Sequence, residues 1–192
     1  MAKKVDFKPD KPRSGLLDKL YLTPLQRKHL LKWVLYVAVL LLLSVFQDVL
    51  LSKVHIFGAT TELVPCGIFL ICLMEGTERG SVFALVASML YLFSGSAAGN
   101  YSLVLLTAIG ILVTLLRQAF LQKSFSAAML CTVVGLLAYE LAVFFIAAFF
   151  GQTYFARIGV SILTAVLTAF AAPVLYPLLA RICKLGGESW KE

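Results

Sequence analysis

Six apolar runs follow one another at 33–51, 63–74, 81–94, 102–121, 125–150 and 155–182, parted by short polar breaks. Four of them hold 19, 20, 26 and 28 residues. A helix rises about 1.5 Å per residue, so about 20 apolar residues cross a hydrocarbon layer about 30 Å thick. Hydrophobic residues make up 60% of the 192 positions and charged residues 14%. A soluble domain holds roughly 45–50% and about 25%, and one this small has too little polar surface to hide the difference. The sequence predicts an all-α integral membrane protein, a compact bundle of about six transmembrane helices.

The runs at 63–74 and 81–94, with 12 and 14 residues, are short. Each either spans, with Glu75, Glu78 and Arg79 snorkelling to the interface, or joins the other in a re-entrant hairpin; a single tilted helix over 62–94 is the third arrangement. Basic residues decide against the third. Nine of the 17 Lys and Arg residues lie in the first 32 positions. With six passages they share the cytoplasmic side with Arg79, Arg117, Lys123, Arg181, Lys184 and Lys191, leaving only Lys53 and Arg157 outside. A single 62–94 helix would reverse every downstream loop and strand Glu78 and Arg79 in lipid. A re-entrant hairpin gives the same sidedness as two spans, so both remain open. Both termini are expected in the cytoplasm.

The domain plan follows: a disordered basic tail at 1–15, an interfacial amphipathic segment at 16–32, a membrane domain at 33–183 and a cytoplasmic tail at 184–192. Thr23-Pro24 has the residue types of a helix N-cap and first turn, and Arg27, Lys28 and Lys32 are expected to anchor that helix at the head groups. The first apolar run is too long for a cleavable signal and reads as a retained anchor. The net charge of +7 reflects the positive-inside pattern and contact with anionic lipid rather than nucleic acid. Cys66, Cys72, Cys131 and Cys183 lack zinc-ligand spacing and read as buried apolar thiols, so neither metal nor cofactor is expected. No phosphate-loop, zinc-protease or serine-hydrolase motif occurs, and the chain is expected not to be an enzyme.

Few polar groups fall inside the runs. Glu140 lies near the middle of the fifth and must face the protein interior, with Arg157 and Tyr139 as candidate contacts. It reads either as a ligand or proton site or as a helix-packing contact. Asp48 reads as an interfacial carboxylate near Lys53. Glu78 and Arg79, in the turn 76–80, are a candidate contact for a cytoplasmic partner; a solvated turn is the plainer reading. Ser161, Ala165, Thr168, Ala169 and Ala172 place small residues along the last run. They suit close packing within the bundle, or a homodimer interface. Pro173 and Pro177 predict a kink there.

The order of residues carries a resemblance. Thr61-Glu62-Leu63-Val64-Pro65 opens an apolar run that leads into Glu75-Gly76-Thr77-Glu78-Arg79-Gly80. Ala84, Leu90-Tyr91-Leu92-Phe93, Ser94-Gly95, Gly99 and Gly110 follow. Leu163-Thr164-Ala165, Leu167-Thr168-Ala169, Leu175-Tyr176 and Arg181 stand in the last run. Over about 33–182 the chain resembles the bacterial rod-shape-determining protein MreD family. It departs at Tyr91, where many members carry an acidic residue. The resemblance implies a non-enzymatic scaffold of the cell-wall elongation machinery in the bacterial inner membrane. Its implied partner is the bitopic protein MreC, with the filament protein MreB and the wall synthase RodA and its transpeptidase reached indirectly.

A different class competes. The substrate-binding subunits of energy-coupling-factor vitamin transporters are also small, loop-poor and six-helical. Glu140, Arg157, Asn100 and Tyr101 would then line a ligand pocket. Against this, Leu42 stands four residues after Ala38, where that family's coupling contact looks like Ala-x-x-x-Ala. A proton-coupled transporter using Glu140 is weaker still, because no second half repeats the first.

Overall fold

Pro24 suits a first helical position, since its fixed φ fits the helix and its missing N–H would have no partner there. The first helix, α1, runs Pro24–Val49 and ends in a 3₁₀ turn at Leu51–Lys53. Then come α2 (Leu63–Glu75), α3 (Thr77–Phe93), α4 (Tyr101–Phe120), α5 (Phe125–Phe149), a second 3₁₀ turn at Phe155–Arg157, and α6 (Ile158–Leu185). The computed structural model describes residues 24–54, 57–95, 97–120 and 125–185. The expected tail at 1–15, the first part of the interfacial segment at 16–23 and the last residues at 186–192 lie outside the described residues. Among the described residues there are six α-helices and no strand. Three helical stretches, Arg27–Lys53, Phe125–Phe149 and Phe155–Leu185, are long and apolar enough to cross a membrane.

All 13 residues of α2 are buried, and α2 touches each of the other five helices. A helix that is apolar all round belongs in the middle of a bundle. At about 1.5 Å per residue it is about 20 Å long, short of the hydrocarbon thickness. Ile68, Phe69, Leu70, Ile71 and Cys72 have no exposed surface. Successive helices from α2 to α6 pack as neighbours, and α1 closes against α2 and α6. Outward positions stay apolar: Leu42, Val82, Val104, Phe170 and Val174 are each at least 65% exposed. In lipid such a surface costs nothing, and helix association rests on close packing rather than on release of water.

The break between α2 and α3 is narrower than the sequence suggests. Only Gly76 leaves the helical path, with φ 84° and ψ −175°. That positive φ suits glycine, which has no Cβ to clash. The Gly80 N–H already donates to the Gly76 carbonyl at 2.8 Å, so residues 77–80, expected as a turn, form the first turn of α3. A single helix over 62–94 is thereby excluded.

Gly80 lets α3 approach α2 closely. A Cβ there would lie 2.8 Å from the Cys72 carbonyl oxygen, and the Cys72 thiol donates to the Gly80 carbonyl at 3.3 Å. The obstructing atom is backbone and cannot rotate away. Gly80→Ala is therefore expected to destabilise the bundle by about 1–3 kcal/mol. A thermal melt in detergent checks this; an unchanged midpoint would show that the helices separate freely.

Pro173 and Pro177 both lie inside α6, which runs unbroken past them to Leu185. The four cysteines are free and buried, as apolar thiols would be.

Candidate functional site

Polar side chains gather at the two ends of α2. The Glu75 end is charged and closed. Lys32 and Tyr36 stand four residues apart on α1, which places them on one face. Lys32 Nζ lies 2.5 Å from Glu75 Oε1, with both side chains wholly removed from solvent. Tyr36 Oη donates to the same oxygen at 2.8 Å. The rings of Trp33, Tyr36 and Phe83 pack on one another with centroids 5.6–6.1 Å apart, and Lys32 Nζ lies 5.9 Å from the centre of the Tyr36 ring. This corrects the expectation that Lys32 anchors at the head groups and that Glu75 snorkels outward. A charge without a partner would have to reach the interface, but each of these has the other.

The Glu62 end is polar and partly open. Glu62 sits at the N-cap position of α2 but makes no capping bond to its own helix. Other helices satisfy these amides. Gln47 Oε1, from α1, accepts from the Val64 N–H at 3.2 Å. Thr168 Oγ1, from α6, accepts from the Glu62 N–H at 3.0 Å and itself donates to the Thr164 carbonyl at 2.8 Å. Tyr91 Oη, from α3, donates to Glu62 Oε2 at 3.3 Å. The Glu62 carboxylate thus lies at the positive end of the α2 dipole.

From α5, Tyr139 and Glu140 both turn inward and are 1% and 7% exposed. The Tyr139 ring packs edge-on against Phe69 at 6.5 Å. Glu140 is close enough to Glu62 for their charges to interact, and Tyr91 and Tyr139 lie within range of both. A cavity of about 230 Å³ opens beside this group, lined by Gln47, Asp48, Ser52, Thr60, Thr61 and Glu62.

Arg157 is not a member of the cluster. It is exposed in the 3₁₀ turn before α6, and no ion pair joins it to Glu140 among the described residues. The charged group within electrostatic range of Glu140 is another carboxylate, Glu62. Glu78 and Arg79 are exposed in the first turn of α3. The small residues of α6 divide between two faces. Thr168 and Ala172 are fully buried, with Thr168 bonded to the start of α2. Ala165 and Ala169 line an apolar groove of about 290 Å³ with Val133, Leu137, Val166, Phe170 and Pro173. Ser161 is half-buried near the start of the helix.

Sequence reasoning missed the roles of Lys32, Tyr36, Gln47 and Glu62. The first two carry one legible signal, a lysine and a tyrosine four residues apart at the start of an apolar helix. Gln47 and Glu62 carry none, since their partners lie 17 and 106 residues away. No protein-family model, curated protein or solved structure matches the chain.

Proposed function

We propose that the chain is a multi-pass, non-enzymatic scaffold of the bacterial inner membrane that serves the cell-wall elongation machinery, as the MreD resemblance implies. In this reading the six helices are six passages with both termini in the cytoplasm. The observation that carries it is the burial of α2 along its whole length. A helix fills the middle of the bundle, which leaves the outward, lipid-plane faces as the working surface. Of these, the groove between α5 and α6 suits the single helix of an MreC-like partner, because the small side chain of Ala169 in its wall lets a second backbone come close. Glu78 and Arg79 would face the cytoplasmic filament.

Co-purification from a bacterial membrane in mild detergent tests the reading, with an MreC-like bitopic protein as the expected companion. Ala169→Leu, which narrows the groove, is expected to cut recovery of that companion at least about tenfold, for a loss of about 1.4 kcal/mol, while the melting midpoint of the purified chain holds. Full recovery with the variant would remove the groove from the proposal.

The cavity beside Glu62 favours the second reading, a substrate-binding subunit of a vitamin transporter. Recovery of an ATPase pair and a bound small molecule would replace the scaffold reading with that one.

A further inference from the structure

Where α1 ends and α2 begins, the cavity of about 230 Å³ is bounded by Gln47, Asp48, Ser52, Thr60, Thr61 and Glu62. In a chain that is 60% hydrophobic, all six of these residues are polar. They come from the end of α1, the 3₁₀ turn after it and the segment that leads into α2. Other elements hold two of them in place. Gln47 is 8% exposed, and its Oε1 accepts from the Val64 N–H at 3.2 Å. Glu62 is half-buried; its N–H donates to Thr168 Oγ1 at 3.0 Å and its Oε2 accepts from Tyr91 Oη at 3.3 Å. That part of the wall is fixed by the packing of α1, α3 and α6 on α2, as in a pre-formed small-molecule site.

The chemistry of the wall selects the ligand. Its charged members, Asp48 and Glu62, are both acidic, and among the described residues it contains no lysine, arginine or histidine. A carboxylate drawn partly out of water is costly without a counter-charge. The hydroxyls of Ser52, Thr60 and Thr61 accept hydrogen bonds as well as donate them, so they can receive the N–H groups of an ammonium. Yet more of the wall's surface is carbon than oxygen or nitrogen. A bare metal ion would leave that carbon uncovered, whereas a short hydrocarbon chain would cover it. No aromatic ring lines the cavity, so it lacks the cage that recognises a quaternary ammonium. Its volume of about 230 Å³ exceeds the roughly 30 Å³ that one water occupies in the liquid. It lies below the roughly 300 Å³ at which pockets for drug-sized ligands begin. The fit is to a molecule of a few heavy atoms.

We propose that this cavity binds a small aliphatic primary amine, its ammonium group held by the Asp48 and Glu62 carboxylates and its carbon chain against the rest of the wall. A free amine and the ethanolamine head group of a lipid share this chemistry. The site goes beyond both readings of the whole chain, since a scaffold or a transporter subunit can carry it.

The test is equilibrium dialysis of the full chain, purified in detergent, against radiolabelled putrescine and radiolabelled ethanolamine. Saturable binding of at least one of them is expected, with a Kd of about 1 mM or tighter. 1,4-Butanediol and ethylene glycol, which replace each amino group by a hydroxyl, are expected not to compete. Asp48→Asn and Glu62→Gln, which keep the volume and remove the charge, are each expected to weaken binding about tenfold or more. Asp48 is exposed near the end of α1, so Asp48→Asn decides the point if Glu62→Gln does not fold. Competition by phosphatidylethanolamine in mixed micelles identifies a lipid head group as the source, and its failure to compete identifies a free amine; either supports the proposal. No saturable binding of either probe, equal competition by the diols, or binding that survives in Asp48→Asn overturns it. Co-purification of an ATPase pair with a chain that binds neither amine would overturn this site and leave the transporter reading standing.

Discussion

Lys32→Met is expected to destabilise the protein by about 3–5 kcal/mol, because it leaves the Glu75 carboxylate in the interior without its counter-charge. The pair has no exposed surface, so water cannot replace the lost partner. Tyr36 Oη already donates to Glu75, and Cys183, which also interacts with Tyr36, brings no positive charge to replace that of Lys32. For a chain of this size the loss corresponds to a fall in melting midpoint on the order of 10 °C. Lys32→Met combined with Glu75→Gln is expected to recover most of it. The glutamine carbonyl still accepts from Tyr36, and no uncompensated charge remains. A buried ion pair often contributes little relative to a neutral replacement, although losing one partner is severe. Thermal melts of the four proteins in one detergent measure the coupling. If Lys32→Met alone costs less than about 1 kcal/mol, or if the double variant is worse than either single one, the pair does not hold α1 to α2 in this way.

Phe69→Ala is expected to cost about 3–5 kcal/mol, by opening a cavity at the centre of the bundle. Phe69 has no exposed surface, and its ring meets Tyr139 at 6.5 Å. It also lies 3.4 Å from the position a Cβ would take at Gly135, so α5 approaches α2 closely at this level. Lipid is as apolar as the core, so transfer between the two contributes little and the loss comes from broken packing. That separates this substitution from the same change on the outer surface. Phe170→Ala, at a position 73% exposed, is expected to change stability by no more than about 0.5 kcal/mol. Melting both variants beside the parent decides the point. Equal losses at 69 and 170 would mean that α2 is not the packed centre.

The apolar runs of the sequence located the helices well but ranked them poorly. Five of the apolar runs appear as helices within about four residues at each end, α1 starts nine residues before its run, at Pro24, and the break at Gly76 shows in the sequence as glycine and charge between two apolar stretches. The run at 63–74 looked like an uncertain, short span, yet α2 is the element on which every other helix packs. Hydropathy cannot distinguish a helix bathed in lipid from one wrapped in other helices, because both solvents are apolar. The intramembrane carboxylate Glu140 was legible, since a charged side chain in an apolar run must turn inward. Its neighbour was not. Arg157 is nearer along the chain and of opposite charge, but the fold leaves Arg157 exposed and brings Glu62 within electrostatic range of Glu140.

The chain by itself determined an apolar, all-helical protein, the approximate limits of its helices and the inward turn of Glu140. Those properties depend on local composition and on the cost of polar groups in lipid, and both act over a few residues. Tertiary structure alone decided that Lys32 meets Glu75 and that Gln47 and Thr168 satisfy the first amides of α2. Those contacts join residues 17 to 106 positions apart or more than one helix away, and only the packing of α2 against all its neighbours brings them within reach.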